Sequence, residues 1–229
     1  MKAYAIVIKD NPISETAFET LVRSSNIDIT RHDAITPERV DGLMTKLMLK
    51  WNYPWSGQVI DFATGLTKLA YVTNNPESRI ACALSHYMLW LECSQQAEPY
   101  LILEHDAEFM QPLTEDAIEL FKQSPALIAS INSPLGATRR ATLYHTKLRE
   151  VPGDLVPVPE IDDIKVPQGL PGNSAYMIKP TGAQSLVDLV ANFGLWPNDA
   201  IMCKQLIHGL YCFTTYYTRV QGTPSTTTL

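Results

Sequence analysis

Tyr100-Leu-Ile-Leu is a continuous apolar run that ends in three ionisable residues, Glu104, His105 and Asp106. It follows a long amphipathic segment that Pro99 cannot continue. A short run that is apolar on both faces reads as a strand buried inside a sheet. The polar cluster then stands at the carboxyl end of that strand, where open α/β sheets bind their ligands. Such a strand needs helices on both faces of its sheet, and that restricts the fold class.

The rest of the chain keeps the same alternation. Residues 4–8 and 27–30 read as strands, with a helix over 12–23 between them and Ser14 as its N-cap. Thr36-Pro37-Glu38 reads as a helix start, because proline is tolerated where the first N–H has no partner anyway. Residues 51–57 (WNYPWSG) read as an aromatic loop packed on the core. Residues 76–95 place Ile80, Leu84, Tyr87, Met88 and Leu91 on one helical face. Further on, the pattern predicts helices over 114–122, 180–192 (stopped by Gly194) and 199–208, and strands over 126–131, 174–178 and 211–218. Between 134 and 171 the periodicity is lost and prolines accumulate, the mark of a long binding loop. The expectation is one α/β domain over 1–221 and a flexible tail over 222–229.

Composition narrows the function classes. The 229 residues are 45% hydrophobic and 18% charged, an ordinary globular balance with a real core. A net charge of -6 repels a phosphate backbone, so nucleic acid is disfavoured as a partner. The exception is a local basic cluster, Arg139, Arg140, His145, Lys147 and Arg149. It reads as a solvated loop or as one that closes over a diphosphate. Cys82, Cys93, Cys203 and Cys212 include no CxxC pair, so buried free thiols are expected rather than a zinc or redox motif. No apolar stretch approaches the roughly 20 residues of a membrane span. No signal-peptide pattern opens the chain, and the expectation is a cytoplasmic enzyme.

By itself, Glu104-His105-Asp106 is a solvated turn as readily as a cation site. Three ordered blocks change that reading. Cys82, Leu84, Ser85 and His86 form the first, and Leu103, Glu104, Asp106 and Ala107 the second. The third is Gly172-Asn-Ser-Ala-Tyr-Met-Ile, then Gly182-Ala183, then Pro197-Asn198-Asp199. In order and rough spacing they resemble glycosyltransferase family 25, which includes lipopolysaccharide-type glycosyltransferases and collagen galactosyltransferases. The resemblance spans about half the chain, Ala81 to Met202.

The resemblance implies a GT-A-like (Rossmann-like) mixed sheet flanked by helices. It also implies a nucleotide-sugar donor, commonly UDP-linked, a divalent cofactor, Mn2+ or Mg2+, and inversion at the anomeric carbon. The acceptor would be a hydroxyl, on a glycan by family membership. Carried over, Asp106, Glu104 and His105 fall on the metal motif, with Asp106 the foremost ligand. Ser85, His86 and Glu104 fall on the donor pocket, with Arg139 and Arg140 from the basic cluster beside them. Asp199 falls on the late acidic position. Inversion needs a base to take the acceptor proton, and Asp199 reads equally as that base or as a helix N-cap. His86 alone would read as a core histidine.

Two departures stand out. His105 occupies a position where the family usually has aspartate. Val7-Ile8-Lys9-Asp10 lacks the family's usual Asn-Leu and nearby Arg. Two other classes compete. The order His86, His105-Asp106, Asp199 also resembles HD-type metal phosphohydrolases, which are all-helical. A non-catalytic nucleotide- or sugar-binding protein on the same fold is the third.

Overall fold

The apolar runs do become strands, and most of them join one sheet. The computed structural model describes residues 1–69, 73–138, 140–161 and 168–223. The sheet strands are β1 (Lys2–Val7), β2 (Thr30–Asp33), β5 (Tyr100–Glu104), β7 (Ile128–Ser130), β8 (Leu155–Pro157), β9 (Ala175–Ile178) and β10 (Leu210–Phe213). Their order is β2-β1-β5-β9-β7-β10-β8. β1 is parallel to β2 and β5, β7 is parallel to β10, and β9 runs antiparallel between β5 and β7. β3 (Gln58–Ile60) and β4 (Thr67–Leu69) form a separate hairpin. β6 (Ala107–Phe109) and β11 (Thr218–Val220) form another pair.

The helices are α1 (Pro12–Ser24), α2 (Val40–Lys46), α3 (Pro76–Cys93), α4 (Glu115–Gln123), α5 (Ala141–Glu150), α6 (Pro180–Phe193) and α7 (Asn198–Ile201), with a 3-10 turn over Pro37–Arg39. The period-2 rule sorts the central strand between two cores. Tyr100 and Ile102 pack with Leu84, Trp90 and Leu186 of α3 and α6. Leu101 and Leu103 pack with Leu21 of α1 and Phe121 of α4. Every one of these side chains except Leu186 and Leu21 belongs to β5, α3 or α4, and all are fully buried. The mixed sheet between helical layers is the α/β architecture expected. Because His105-Asp106 follow a strand of this sheet, the all-helical HD reading is excluded.

Several sequence expectations are corrected. Asn11, not Ser14, caps α1. Ser14 instead accepts the Ile8 N–H at 2.9 Å, tying the helix to the end of β1. The second strand lies at Thr30–Asp33 rather than 27–30. The region 134–171 is not all loop, since it holds α5 and β8. α5 was hidden because only Tyr144 and Leu148 of its ten residues are buried. The helix expected over 199–208 ends at Ile201. There the Lys204 N–H turns aside to the Gln168 carbonyl, and Cys203 bridges to Gly169. The strand expected over 211–218 divides between β10 and β11, because β11 leaves the main sheet to pair with β6. All four cysteines are free, as expected. Most of the 222–229 tail lies outside the described residues. No described helix is long and apolar enough to cross a membrane.

Candidate active site

The carboxyl ends of β1 and β5 open into a cleft of about 540 Å³. This is within the ~300–1,000 Å³ range of small-molecule sites. α3 and α7 supply one side of it, and the segments around 136–140 and 168–174 the other. Ser85, His86, Glu104, His105, Asp106, Arg140 and Asp199 all line it. Arg139 lies outside the described residues.

The α3 side is a chain of satisfied buried polar groups. Trp90 Nε1–H donates to the Tyr176 hydroxyl oxygen at 2.8 Å. The same oxygen lies 2.8 Å from His86 Nδ1, and His86 Nε2 lies 3.1 Å from Glu104 Oε1. An indole N–H can only donate. One assignment therefore satisfies every atom: Tyr176 gives its proton to Nδ1, and Nε2–H donates to Glu104. Burial alone would raise the Glu104 carboxyl, but the His86 hydrogen bond and the charges of His86 and His105 hold it below the ordinary glutamate value, with the Asn198 side chain adding to this. Burial pushes the Tyr176 phenol well up, so it stays protonated. His86 is thus a buried strut that orients Glu104. Ser85 is likewise committed, donating to the Ala81 carbonyl and accepting the Ile35 N–H, both at 2.8 Å. It fastens the turn after β2 to α3.

Asp106, Asn173 and Ser174 carry atoms that differ in this respect. Asp106 Oδ1, both side-chain polar atoms of Asn173, and Ser174 Oγ are buried without a hydrogen bond, and all three residues line the cleft. Burial, then repulsion from Glu104, raises the Asp106 carboxyl to about 7. Burial pushes the His105 imidazole down, towards its neutral form, and its backbone N–H is held by the Ile6 carbonyl at 3.1 Å. Unsatisfied buried polar atoms are rare in native proteins, and their concentration in one cleft leaves it able to hydrogen-bond a ligand, an ion or water.

Asp199 sits in the first turn of α7, where Pro197 holds the cap position, so its N-cap reading is corrected. Its charge adds to the partial burial that raises the Tyr53 phenol. It is flanked by Asn198, whose Oδ1 lies 3.9 Å from Cys82 Sγ. Burial first, then the charges of Glu104 and Asp199, push the Cys82 thiol well up.

Does the site suit a divalent cation? Among the described residues, the one group of three ligand atoms that converges is Cys82, His86 and Glu104. A protonated thiol and a fully engaged imidazole do not suit a hard cation. Glu104 and Asp106 do, as two like charges facing one cleft with a buried carboxylate oxygen left over.

Asn173 and Ser174 had no role assigned in the sequence, although they stand inside the Gly172-Asn-Ser-Ala-Tyr block. Their signal was Gly172. Its φ is +102°, and a Cβ there would lie 2.5 Å from the Ala137 Cβ and 3.0 Å from Asn132 Nδ2. Only glycine lets these two segments meet. That contact aims Asn173 and Ser174 into the cleft. Gly169 makes a similar approach, where a Cβ would lie 3.2 Å from the Asp199 carbonyl oxygen.

The sequence model of glycosyltransferase family 25 (LPS biosynthesis protein) matches residues 2–202. No curated protein gives a significant match. Among solved structures, the chain is similar to S. aureus TarS 1-349 in complex with UDP-GlcNAc, at 11% identity and a TM-score of 0.48. That match covers 100% of this chain but 60% of the other. A second is mouse xyloside xylosyltransferase 1, apo form, at 14% identity and a TM-score of 0.36, covering 88% of this chain and 80% of the other.

Proposed function

The chain belongs to glycosyltransferase family 25, and from that premise we propose that it moves a sugar from a UDP-linked donor to a hydroxyl of a glycan acceptor, with inversion. The observation that carries this reading is Asp106, half-buried beside Glu104 just after β5, with one carboxylate oxygen buried and unpartnered. Glu104 and Asp106 would hold Mn2+ or Mg2+, whose preferred ligands are carboxylates, with His105 as an additional nitrogen donor. When bound, the cation neutralises charge on the leaving diphosphate. Glu104 is kept ionised by the His86 strut. Asn173 and Ser174 offer uncommitted donors and acceptors to the donor. Arg140 supplies positive charge at the mouth of the cleft. Asp199, on the α7 side, takes the proton from the attacking acceptor hydroxyl.

The test has two arms. Nucleotide-sugar donors are screened against glycan acceptor pools and read by mass. A product heavier by one sugar is expected, and nucleotide binding without any transfer would leave the non-catalytic reading standing instead. In parallel, a UDP-sugar with Mn2+ is expected to raise the melting temperature by linkage, and Asp106→Ala to remove most of that rise. An unchanged rise in the variant would sink the metal-ligand assignment.

A further inference from the structure

The most unusual surface of this molecule lies away from the cleft lining. Thirteen large hydrophobic side chains are exposed among the described residues, and six of them fall between positions 48 and 69. They are Met48, Trp55, Val59, Ile60, Phe62 and Leu69, with Phe62 95% exposed. Apolar side chains scattered singly need no explanation, but a concentration does.

Register explains why two of them, Ile60 and Leu69, point outward. In the β3–β4 hairpin Val59 stands opposite Lys68, Ile60 opposite Thr67, and Gln58 opposite Leu69. Lys68 marks the inner face. It is 5% exposed, donates to the Asn52 carbonyl at 2.6 Å and lies 4.7 Å from the centre of the Trp196 ring. Ile60 and Leu69 therefore occupy the outer face. Phe62 follows in the turn, which Asp61 holds by accepting from the Ala63 N–H and the Thr64 hydroxyl. The hairpin is also tethered at its base, where the Tyr53 hydroxyl donates to the Leu69 carbonyl. Trp55 stacks flat on Trp51, with centroids 4.9 Å apart and planes within 5°, at the entry to the hairpin. The projection is held in place by these contacts, and Ile60, Phe62 and Leu69 belong to neither core cluster.

Charge selects the partner. The whole chain is acidic, at -6. Between 46 and 69 there are three lysines and one aspartate, and the aspartate is buried against Lys68 at 3.8 Å. The exposed charges of this segment are Lys46 and Lys50, both positive. We infer that the β3–β4 hairpin with Trp55 docks on an anionic lipid bilayer, its apolar tip entering the interface, with Lys46 and Lys50 of the preceding segment drawn to the headgroups. Interfacial binding elements combine these features: aromatic and aliphatic side chains on one face, with lysines beside them. The net charge of -6 disfavours a bilayer over the chain as a whole, so the apolar tip with positive charge near it in sequence sets the side that approaches. A second copy of the chain is the weaker occupant. A two-fold contact would set Lys46 and Lys50 against their own copies, and a hairpin with three-residue strands falls far short of the ~800 Å² per partner of a stable interface.

The docking does not depend on the proposed transfer reaction. Its consequence for that reaction does: Trp196 beneath Lys68 leads directly to Asn198 and Asp199, so docking brings the α7 side of the cleft to the bilayer.

The experiment is co-sedimentation of the full chain with large vesicles, either phosphatidylcholine alone or phosphatidylcholine with phosphatidylglycerol. Binding to the phosphatidylglycerol vesicles is expected, weakening with salt. The triple variant Ile60→Ser, Phe62→Ser, Leu69→Ser is expected to lower the partition coefficient by about tenfold or more. Lys46→Glu with Lys50→Glu is expected to remove the preference for the anionic vesicles. Unchanged thermal melting of both variants shows that the fold is intact. Equal sedimentation with both vesicle types, or binding by the triple variant at the wild-type level, overturns the inference. So does a wild-type dimer in light scattering that the triple variant converts to monomer.

Discussion

The two sides of the cleft face each other with opposite internal economies. On the α3 side, Trp90, Tyr176, His86 and Glu104 pass hydrogen bonds along a buried line until each is satisfied. On the other side, Asn173 and Ser174 are buried with side-chain atoms that bond to nothing in the protein, and Asp106 on the floor shares that state. A satisfied buried network stiffens a scaffold, whereas an unsatisfied one carries a desolvation penalty that a ligand can relieve. The difference separates the strut that stands behind Glu104, of which only His86 lines the cleft, from the groups that face a ligand there, Glu104 among them.

This division can be broken by substitution. The largest effect is expected at Asp199. If it is the base, Asp199→Asn lowers kcat by about 10²–10⁴-fold and leaves the donor KM near its wild-type value. A kcat within a few-fold of wild type would return Asp199 to a structural role. Tyr176→Phe attacks the satisfied side. It strips partners from Trp90 and His86 in a dry site and should cost about 1–3 kcal/mol of stability by denaturant melting. A loss of activity without loss of stability would contradict the scaffold assignment. Asn173→Ala attacks the unsatisfied side and should do the reverse. Stability of the ligand-free protein is unchanged or slightly raised, while nucleotide-sugar affinity falls by about tenfold.

The smallest effect sharpens the comparison by pH. The Asp106 carboxyl is raised from 3.8 to about 7 in the folded, metal-free protein, mainly by burial and then by Glu104. Its contribution to stability is therefore full below the unfolded value and is lost as pH rises through about 7. Glu104, held low, contributes in the opposite sense and loses its share as pH falls. Melting the metal-free protein across pH 4–8 should show a decline towards neutral pH, and Asp106→Asn should flatten it. A decline that persists in that variant assigns the titration elsewhere.

Much of this was legible in the chain. Pro76–Cys93 and Tyr100–Glu104 follow periodicity, because long helices and buried strands write their environment into spacing. The cleft residues of α3 and β5 were legible through three ordered blocks. Local pattern failed where long-range contacts decide. The helix at Asn198–Ile201 stops because Gln168 captures the Lys204 N–H, a partner far away in sequence. β6 has three residues and exists through pairing with β11. The role of Ser85 was invisible for the same reason, and His86 read as a core histidine only when taken alone. Nothing in the sequence reports that Ile35 and Tyr176 would occupy their polar atoms.

Gly172 sets the separation of the segments around Ala137 and Asn173, because no side chain fits where they cross. Descendants of this gene can exchange the residues along either segment and so retune what the cleft accepts. The gauge between the segments is not open to the same tinkering, since any heavier residue at that crossing drives them apart. Specificity here is free to drift, while aperture is inherited.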